Sequence, residues 1–436
     1  MRFSGTIRVL STAVCSLLIG LAINEAQAQL AGSPYSSLGL GLRHSRELNY
    51  NTNMGGIGLS NANPWMLSNV NPALLPFNSF TNFEASLIGE NRIVSSGEES
   101  LDGTDAGLGY LVFGFPLKPG KWTLSMGLMP YGLVNYNVQS IARLEEQNTD
   151  VAYNYEGSGG INQVNISTGL KIGKYLYAGI RGIYVFGSIV DETFARPSQT
   201  TQSGSSVSFL PTAFYQATRL SDITGQGGLM FSIPIGETSA FNLGTTYELG
   251  FNARTFRDEI IEIRRLEDFV ITGDTISANL RGNTYIPARF GAGFSFVKSY
   301  KWTLGMDVFH QDWSAYRNFQ NRNEGLGPST RIMIGGDIIP DFASVGNYLK
   351  RITYGAGLFH ETTPLVVNNT QIKDFGINFG VSLPVGSASL VTMGLTYGQM
   401  GSAQDGLIRE QYLKFRFSLT FNDRAYGWYR SQQKYN

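Results

Sequence analysis

The side chains best suited to catalysis are few in this chain and poorly spaced for it. There are three histidines, His44, His310 and His360, far apart in sequence. His360-Glu361 begins like the two-histidine zinc motif of a metalloprotease helix, but position 364 is Pro364 and no second histidine follows. No G-x-S-x-G elbow, phosphate loop or calcium loop is present. A surface lipase would need a serine with a histidine on one strand face, and only His310 and His360 fall near strand ends. The acidic pairs Glu98-Glu99 and Glu145-Glu146 read as solvated charge. The sequence indicates no enzyme, no cofactor and no metal. Three arginines offer a more definite chemistry. Arg181, Arg289 and Arg416 stand on the polar faces of alternating segments, where a guanidinium can grip a carboxylate head group. The competing reading is that they pair with acids on the same faces, such as Asp307 and Glu248.

Those segments belong to a large and weakly charged chain. Its 436 residues carry 33 basic and 33 acidic side chains, so net charge gives no ground for a nucleic-acid or acidic partner. Charged residues make up 15 % of the chain, well below the roughly 25 % of a typical soluble domain. Glycine is abundant at 52 and aromatics reach 12 %, which excludes a disordered chain. A single cysteine excludes a disulfide framework and a thiolate metal site. Past the first thirty residues no apolar run approaches the roughly 18 needed for a membrane-spanning helix.

Met1–Ala28 has the three-part layout of a secretory signal peptide. Arg2 and Arg8 precede an apolar stretch from Val9 to Ile23, and Ala26-Gln27-Ala28 forms the cleavage tripeptide. Cys15 lies inside the apolar stretch, so the chain beyond Ala28 has no cysteine. An exported protein of this kind must be held by hydrogen bonding and burial, as a closed barrel is.

Alternation with period two marks the strands. Phe375, Ile377, Phe379, Val381 and Leu383 alternate with Asp374, Gly376, Asn378, Gly380 and Ser382. Leu413, Phe415, Phe417, Leu419 and Phe421 alternate with Lys414, Arg416, Ser418 and Thr420. One face is lipophilic and the other mixes glycine, small polar residues and charges, which suits lipid outside and a polar lumen inside. Fourteen strands are expected near 80–89, 105–117, 121–136, 161–172, 175–190, 222–234, 239–252, 285–297, 301–312, 330–339, 350–360, 373–384, 389–398 and 411–421, with twelve or sixteen as alternatives. Mostly short connections alternate with mostly longer ones (90–104, 137–160, 191–221, 253–284, 313–329, 361–372, 399–410), the layout of an all-β outer-membrane barrel with periplasmic turns and outer loops. Trp122, Tyr175, Tyr300 and Trp302 sit beside the short turns, where an interfacial belt belongs.

Residues 29–78 do not alternate. Dense glycine and proline imply irregular backbone, and a weakly charged stretch such as Pro64–Phe80 favours a plug inside the barrel over a segment left in water. Here Met54-Gly55-Gly56-Ile57-Gly58, followed by Asn69-Val70-Asn71-Pro72-Ala73, resembles the N-terminal hatch signature of FadL/TodX-type outer-membrane transporters of hydrophobic compounds. The run from Tyr354-Gly355-Ala356-Gly357 through Gly394–Gly398 to Leu407–Glu410 is similar to their Bacteroidota-type relatives. The resemblance implies a fourteen-stranded barrel over 79–421 with the hatch inside it, and places Met54, Gly55, Gly56, Gly58, Asn71, Pro72 and Ala73 in that hatch. It also covers relatives that serve as secretion-machinery subunits. Residues 422–436 form a tail beyond the last strand.

In the third strand Pro130-Tyr131-Gly132 interrupts a clean alternation. Proline lacks the N–H a ladder needs, and a closed barrel has no edge to hide it. The resemblance implies that Pro130, Tyr131 and Gly132 form a lateral exit into the lipid; the alternative is a strand that ends at the outer rim. Function is expected to be passive uptake of fatty-acid-like hydrophobic molecules or lipid across the outer membrane. The alternative is a barrel that docks a secretion or surface-assembly complex.

Overall fold

The computed structural model describes residues 32–97, 99–144, 149–200, 206–208, 210–266, 269–385, 389–404 and 406–423. The expected leader Met1–Ala28 and all but the first two residues of the tail 422–436 lie outside them. Fourteen antiparallel strands form the wall: β1 (Thr81–Ser96), β2 (Glu99–Lys118), β3 (Trp122–Leu133), β4 (Thr149–Ile172), β5 (Leu176–Thr200), β6 (Thr212–Ile235), β7 (Ser239–Glu248), β8 (Arg289–Lys298), β9 (Trp302–Asp312), β10 (Pro328–Ile338), β11 (Thr353–Val367), β12 (Thr370–Val385), β13 (Ser389–Gly401) and β14 (Arg409–Asp423). β14 returns to β1 in continuous register from Arg409↔Ser95 to Asp423↔Thr81, which closes the barrel. Among the described residues no helix is long and apolar enough to cross a membrane.

The wall is inverted relative to a soluble sheet. Trp122, Leu124 and Met126 are 43 %, 36 % and 53 % exposed, while Thr123 and Ser125 between them are 0 % and 9 % exposed. An apolar exterior over a polar interior needs lipid around it.

Several spans expected to be loops are strand. β1 and β2 stay paired as far as Ser96↔Glu99, so 90–104 is a hairpin. β4 and β5 keep register from Ile172↔Leu176 out to Thr149↔Gln199. Their 24 and 25 residues far exceed the roughly 9–11 that cross a bilayer. Tyr136–Leu144 pairs with the outer part of β4, and a hairpin of Phe251–Leu266 and Phe269–Ile286, its first strand paired with the outer part of β6, occupies most of 253–284. Beyond the hydrocarbon a strand needs no apolar face, so alternation fades while ladder hydrogen bonding continues.

Residues 32–80 run against the inner side of the wall. They contain a helical turn at Asn49–Asn53 and 3-10 turns at Pro34–Ser37 and Pro72–Phe77. Met54, Ile57, Leu59, Ala73 and Leu75 are at most 1 % exposed. Glycines on the wall admit this backbone. The Asn53 side chain fills the space where Gly380 and Gly394 lack side chains, and it donates to the Met393 carbonyl at 3.0 Å. A methyl group at Gly244 would sit 2.0 Å from the Leu59 carbonyl oxygen, with the Leu59 carbon and the Ser60 nitrogen at 2.5 and 3.0 Å. All three atoms are backbone of the inner segment and cannot rotate aside.

Gly244→Ala is therefore expected to leave the wall assembled but lift Leu59-Ser60 away from it, at an overpacking cost of about 1–3 kcal/mol. Heat-modifiable migration on a gel would report an intact barrel, and limited proteolysis would show faster cleavage between residues 43 and 66. Unchanged protection of that stretch would refute the close packing.

Candidate functional site

The inner segment takes up lumen acids of the wall. Arg46 grips Glu248 of β7 through two hydrogen bonds of 2.5 and 2.8 Å. Asp307 of β9 accepts the backbone N–H groups of Gly58 and Leu59 at 2.6 and 2.8 Å. The Tyr50 hydroxyl donates to Asp337 of β10 at 2.7 Å. A carboxylate is well suited to such donors, because it accepts several charge-assisted bonds at once.

The hatch residues read from sequence lie at these contacts. Met54 ends the short helix, and its carbonyl oxygen is 2.2 Å from where a side chain on Gly335 would begin. Gly55 and Gly56 follow with φ of 75° and 100°, left-handed conformations that open to glycine. The Gly58 N–H meets Asp307. Asn71 accepts from Ala73 N at 3.0 Å and donates to the Leu59 and Leu229 carbonyls at 2.8 and 3.1 Å. It thereby caps the turn that begins at Pro72 and ties it to β6. Pro72 and Ala73 press on Gly179 of β5.

The three arginines separate into two groups. Arg181 is 3 % exposed, and its guanidinium donates to Ser167, Gln226, and both the carbonyl and the side chain of Asn69, at 2.7–3.2 Å. It holds the inner segment and presents no free edge. Arg289 makes no ion pair among the described residues, and its guanidinium lies 4.0 Å from the centre of the Phe309 ring. Arg416 donates to the Thr396 hydroxyl at 2.7 Å and likewise has no ion pair among the described residues. The acids expected to neutralise such cations, Glu248 and Asp307, are engaged by Arg46 and by backbone.

Arg289 and Arg416 line a cavity of about 430 Å³ that also receives Arg43, His44 and Glu47 from the inner segment. The sequence reading named His44 only as one of three scattered histidines and did not single out Arg43 or Glu47. Their signal was charge within an otherwise weakly charged stretch. Burial, then the nearby Arg416 and Lys414, push the His44 imidazole down to about 4, so it is neutral near pH 7. Burial alone would raise Glu47, but Arg331 and Arg289 outweigh it and hold the carboxyl below its usual range. Elsewhere on the cavity wall Arg331 pairs with Glu361 at 3.2 Å and Lys414 with Glu90 at 3.1 Å. Among the described residues no cluster of three or more metal-ligating side chains occurs.

The same cavity reaches the wall at Leu108, Pro130 and Leu133. There the ladder changes. β2 and β3 pair only as far as Leu111↔Leu128. β3 stays paired with β4 to Leu133↔Gly160, with a register shift between Pro130 and Gly132. On its freed side Leu42 and Arg43 of the inner segment pair with Leu133 and Gly132. Tyr131 is 2 % exposed, its hydroxyl has no partner, and Arg43 and Arg46 lie 5.7 and 5.8 Å from its ring centre. Pairing is thus continuous through residue 130 toward β4 and interrupted toward β2.

Solved structures share this architecture at low identity. The CymD monoaromatic hydrocarbon channel is 14 % identical, with 89 % of this chain and 99 % of that one covered at a TM-score of 0.53. The toluene transporter TbuX of Ralstonia pickettii is 13 % identical, with 87 % and 99 % covered at 0.55. A Pseudomonas aeruginosa FadL homologue is 10 % identical, with 88 % and 99 % covered at 0.51. These likenesses show a common fold, a fourteen-stranded barrel of the FadL/TodX type. No curated protein matches the sequence. A family model described as BamG matches residues 7–436, essentially the whole sequence, and the chain belongs to that family.

Proposed function

We propose that this barrel is a channel of the Gram-negative outer membrane for passive uptake of hydrophobic small molecules, with fatty-acid-like amphiphiles as the favoured class. The observation that carries this reading is the cavity, which joins two cations that make no direct ion pair among the described residues to the place where β2 and β3 separate. A carboxylate at Arg289 and Arg416 would leave its apolar tail directed toward Leu108, Pro130 and Leu133. The printed descriptions of CymD and TbuX, a hydrocarbon channel and a toluene transporter, support the same class of cargo. In this reading residues 29–78 act as the hatch, and Pro130, Tyr131 and Gly132 border a lateral exit. The run Tyr354–Gly357 to Leu407–Glu410 supports a Bacteroidota-type branch. Arg181 serves the hatch rather than the cargo.

Three outcomes are expected. Deleting residues 32–76 should leave the strands intact and open a water channel, seen as larger single-channel conductance in planar bilayers; an unchanged trace removes the plug assignment. Pro130→Val restores a ladder N–H and should slow uptake of a fluorescent fatty acid without changing the amount of assembled barrel. Normal uptake would return residue 130 to the role of strand end. Arg289→Gln and Arg416→Gln should each weaken fatty-acid binding about tenfold, the scale of one charged hydrogen bond. Affinity for a fatty alcohol equal to that for the acid would exclude the carboxylate site. A native mass spectrum holding a stoichiometric protein partner instead of lipid would favour a docking role over transport.

A further inference from the structure

Three turns at one end of the barrel repeat a pattern that uptake does not explain. Lys118-Pro119-Gly120-Lys121-Trp122 joins β2 to β3, Lys171-Ile172-Gly173-Lys174-Tyr175 joins β4 to β5, and Lys298-Ser299-Tyr300-Lys301-Trp302 joins β8 to β9. Each is Lys-x-x-Lys followed by a large aromatic residue. The backbone repeats as well: the third residue is left-handed in all three, with φ of 74° at Gly120, 69° at Gly173 and 59° at Tyr300. In the first and third turns the second lysine's N–H closes the turn on the first lysine's carbonyl, at 2.9 Å in both. That closure keeps the two α-carbons within about 7 Å, so two long, flexible ammonium groups can converge on one anion. The first two turns are joined in turn, Lys171 N donating to Lys121 O at 2.8 Å.

Depth fixes which anion is within reach. Trp122 heads the outward row that continues through Leu124 and Met126, and Trp302 heads the row through Leu304; all five are exposed on the outer face. An aromatic residue that begins a lipid-facing row marks the hydrocarbon boundary. The lysine immediately before it then stands at head-group level. Lys174 lies 5.0 Å from the ring centre of the exposed Tyr175, so this cation rests on the aromatic belt and not on an acid, and Lys171 lies 5.3 Å from the ring centre of the buried Tyr177. The chain as a whole is neutral, yet these three turns carry six lysines and no acid. Such one-sided charge is a surface property and contributes nothing to closing the barrel.

We infer that these turns are binding sites for the phosphate of anionic phospholipids in the adjoining leaflet, each built from the two lysines of a Lys-x-x-Lys turn beside an interfacial aromatic ring. The inference rests on the wall facing lipid and is independent of what the lumen carries. It also gives the second lysine a purpose, since a turn needs glycine and not a cation at either end.

The test is native mass spectrometry of the full-length barrel released from detergent containing equal phosphatidylglycerol and phosphatidylcholine. Wild type should retain phosphatidylglycerol selectively. The K118Q/K121Q/K171Q/K174Q variant should lose the adducts of two turns, with affinity at each falling about 30-fold. The matching four-arginine variant should keep them. Heat-modifiable migration confirms that each variant is assembled, and uptake of a fatty-acid probe reads the transport role separately. Equal retention of the two lipids by wild type, or unchanged adducts in the glutamine variant, would overturn the proposal. Displacement of the lipid by inorganic phosphate at the same concentration would assign the sites to a free anion instead. Selective capture of polyglutamate in place of lipid would reassign them to an acidic protein.

Discussion

The arrangement depends on where the lumen carboxylates of Glu248 and Asp307 find their partners. Both point inward from the wall, and Glu248 stands directly across the ladder from Arg289. Instead Glu248 takes Arg46, and Asp307 takes two backbone N–H groups from Gly58 and Leu59. Irregular backbone pressed into a closed barrel needs partners for its polar groups, because little water can reach them. Wall acids supply those partners at the strength of charge-assisted bonds. The consequence is that Arg289 and Arg416 line the cavity without a direct ion pair among the described residues, with Glu47 as a nearby acid. The same bonds that fix the inner segment thus keep Glu248 from closing an ion pair with Arg289, its cross-strand neighbour.

The wall is shaped by the same contact. Sheet interiors normally disfavour glycine, which adds no packing and loses conformational freedom. Here inward glycines such as Gly244, Gly335 and Gly380 stand where the inner segment's backbone or the Asn53 side chain touches the strands. A side chain at any of them would collide with atoms about 2.0–2.2 Å away. The high glycine content is therefore partly a record of a second chain segment lying along the lumen. A water-filled barrel would have no such need.

Much of the wall was legible because lipid imposes period two on any strand that crosses it. The fourteen strands, from 80–89 to 411–421, correspond one to one with β1–β14. Their outer extents were not legible, since β4, β5 and the Phe251–Ile286 hairpin continue where no bilayer enforces alternation. Glycine and Asn-Pro pairs announced irregular backbone in the stretch before β1. Its partners were hidden. Nothing in the spacing of Asp307, in a strand, from Gly58, 249 residues earlier, shows that they meet. Arg181, Arg289 and Arg416 illustrate the limit well. All three fall on the polar strand face, and only the fold shows that Asn69 saturates one while the others border the cavity.

The interruption between β2 and β3 follows from the same economy of hydrogen bonds. Parting two strands inside a membrane strands several N–H and C=O groups, each expensive to leave unmet in hydrocarbon. β3 avoids part of that cost on both sides. Toward β4 it keeps its ladder, with a register shift between Pro130 and Gly132 where the proline has no N–H to give. Toward β2, Leu42 and Arg43 supply a substitute strand, and the His44 N–H adds a bond to the Tyr131 carbonyl at 3.0 Å. This pairing needs Gly132, where any side chain would begin 2.5 Å from the Leu40 carbonyl oxygen. The wall can part at this point because the inner segment mends it from within. Any motion of that segment away from β3 would expose the strand edge to lipid, so the gap and the residues beside it are energetically one unit.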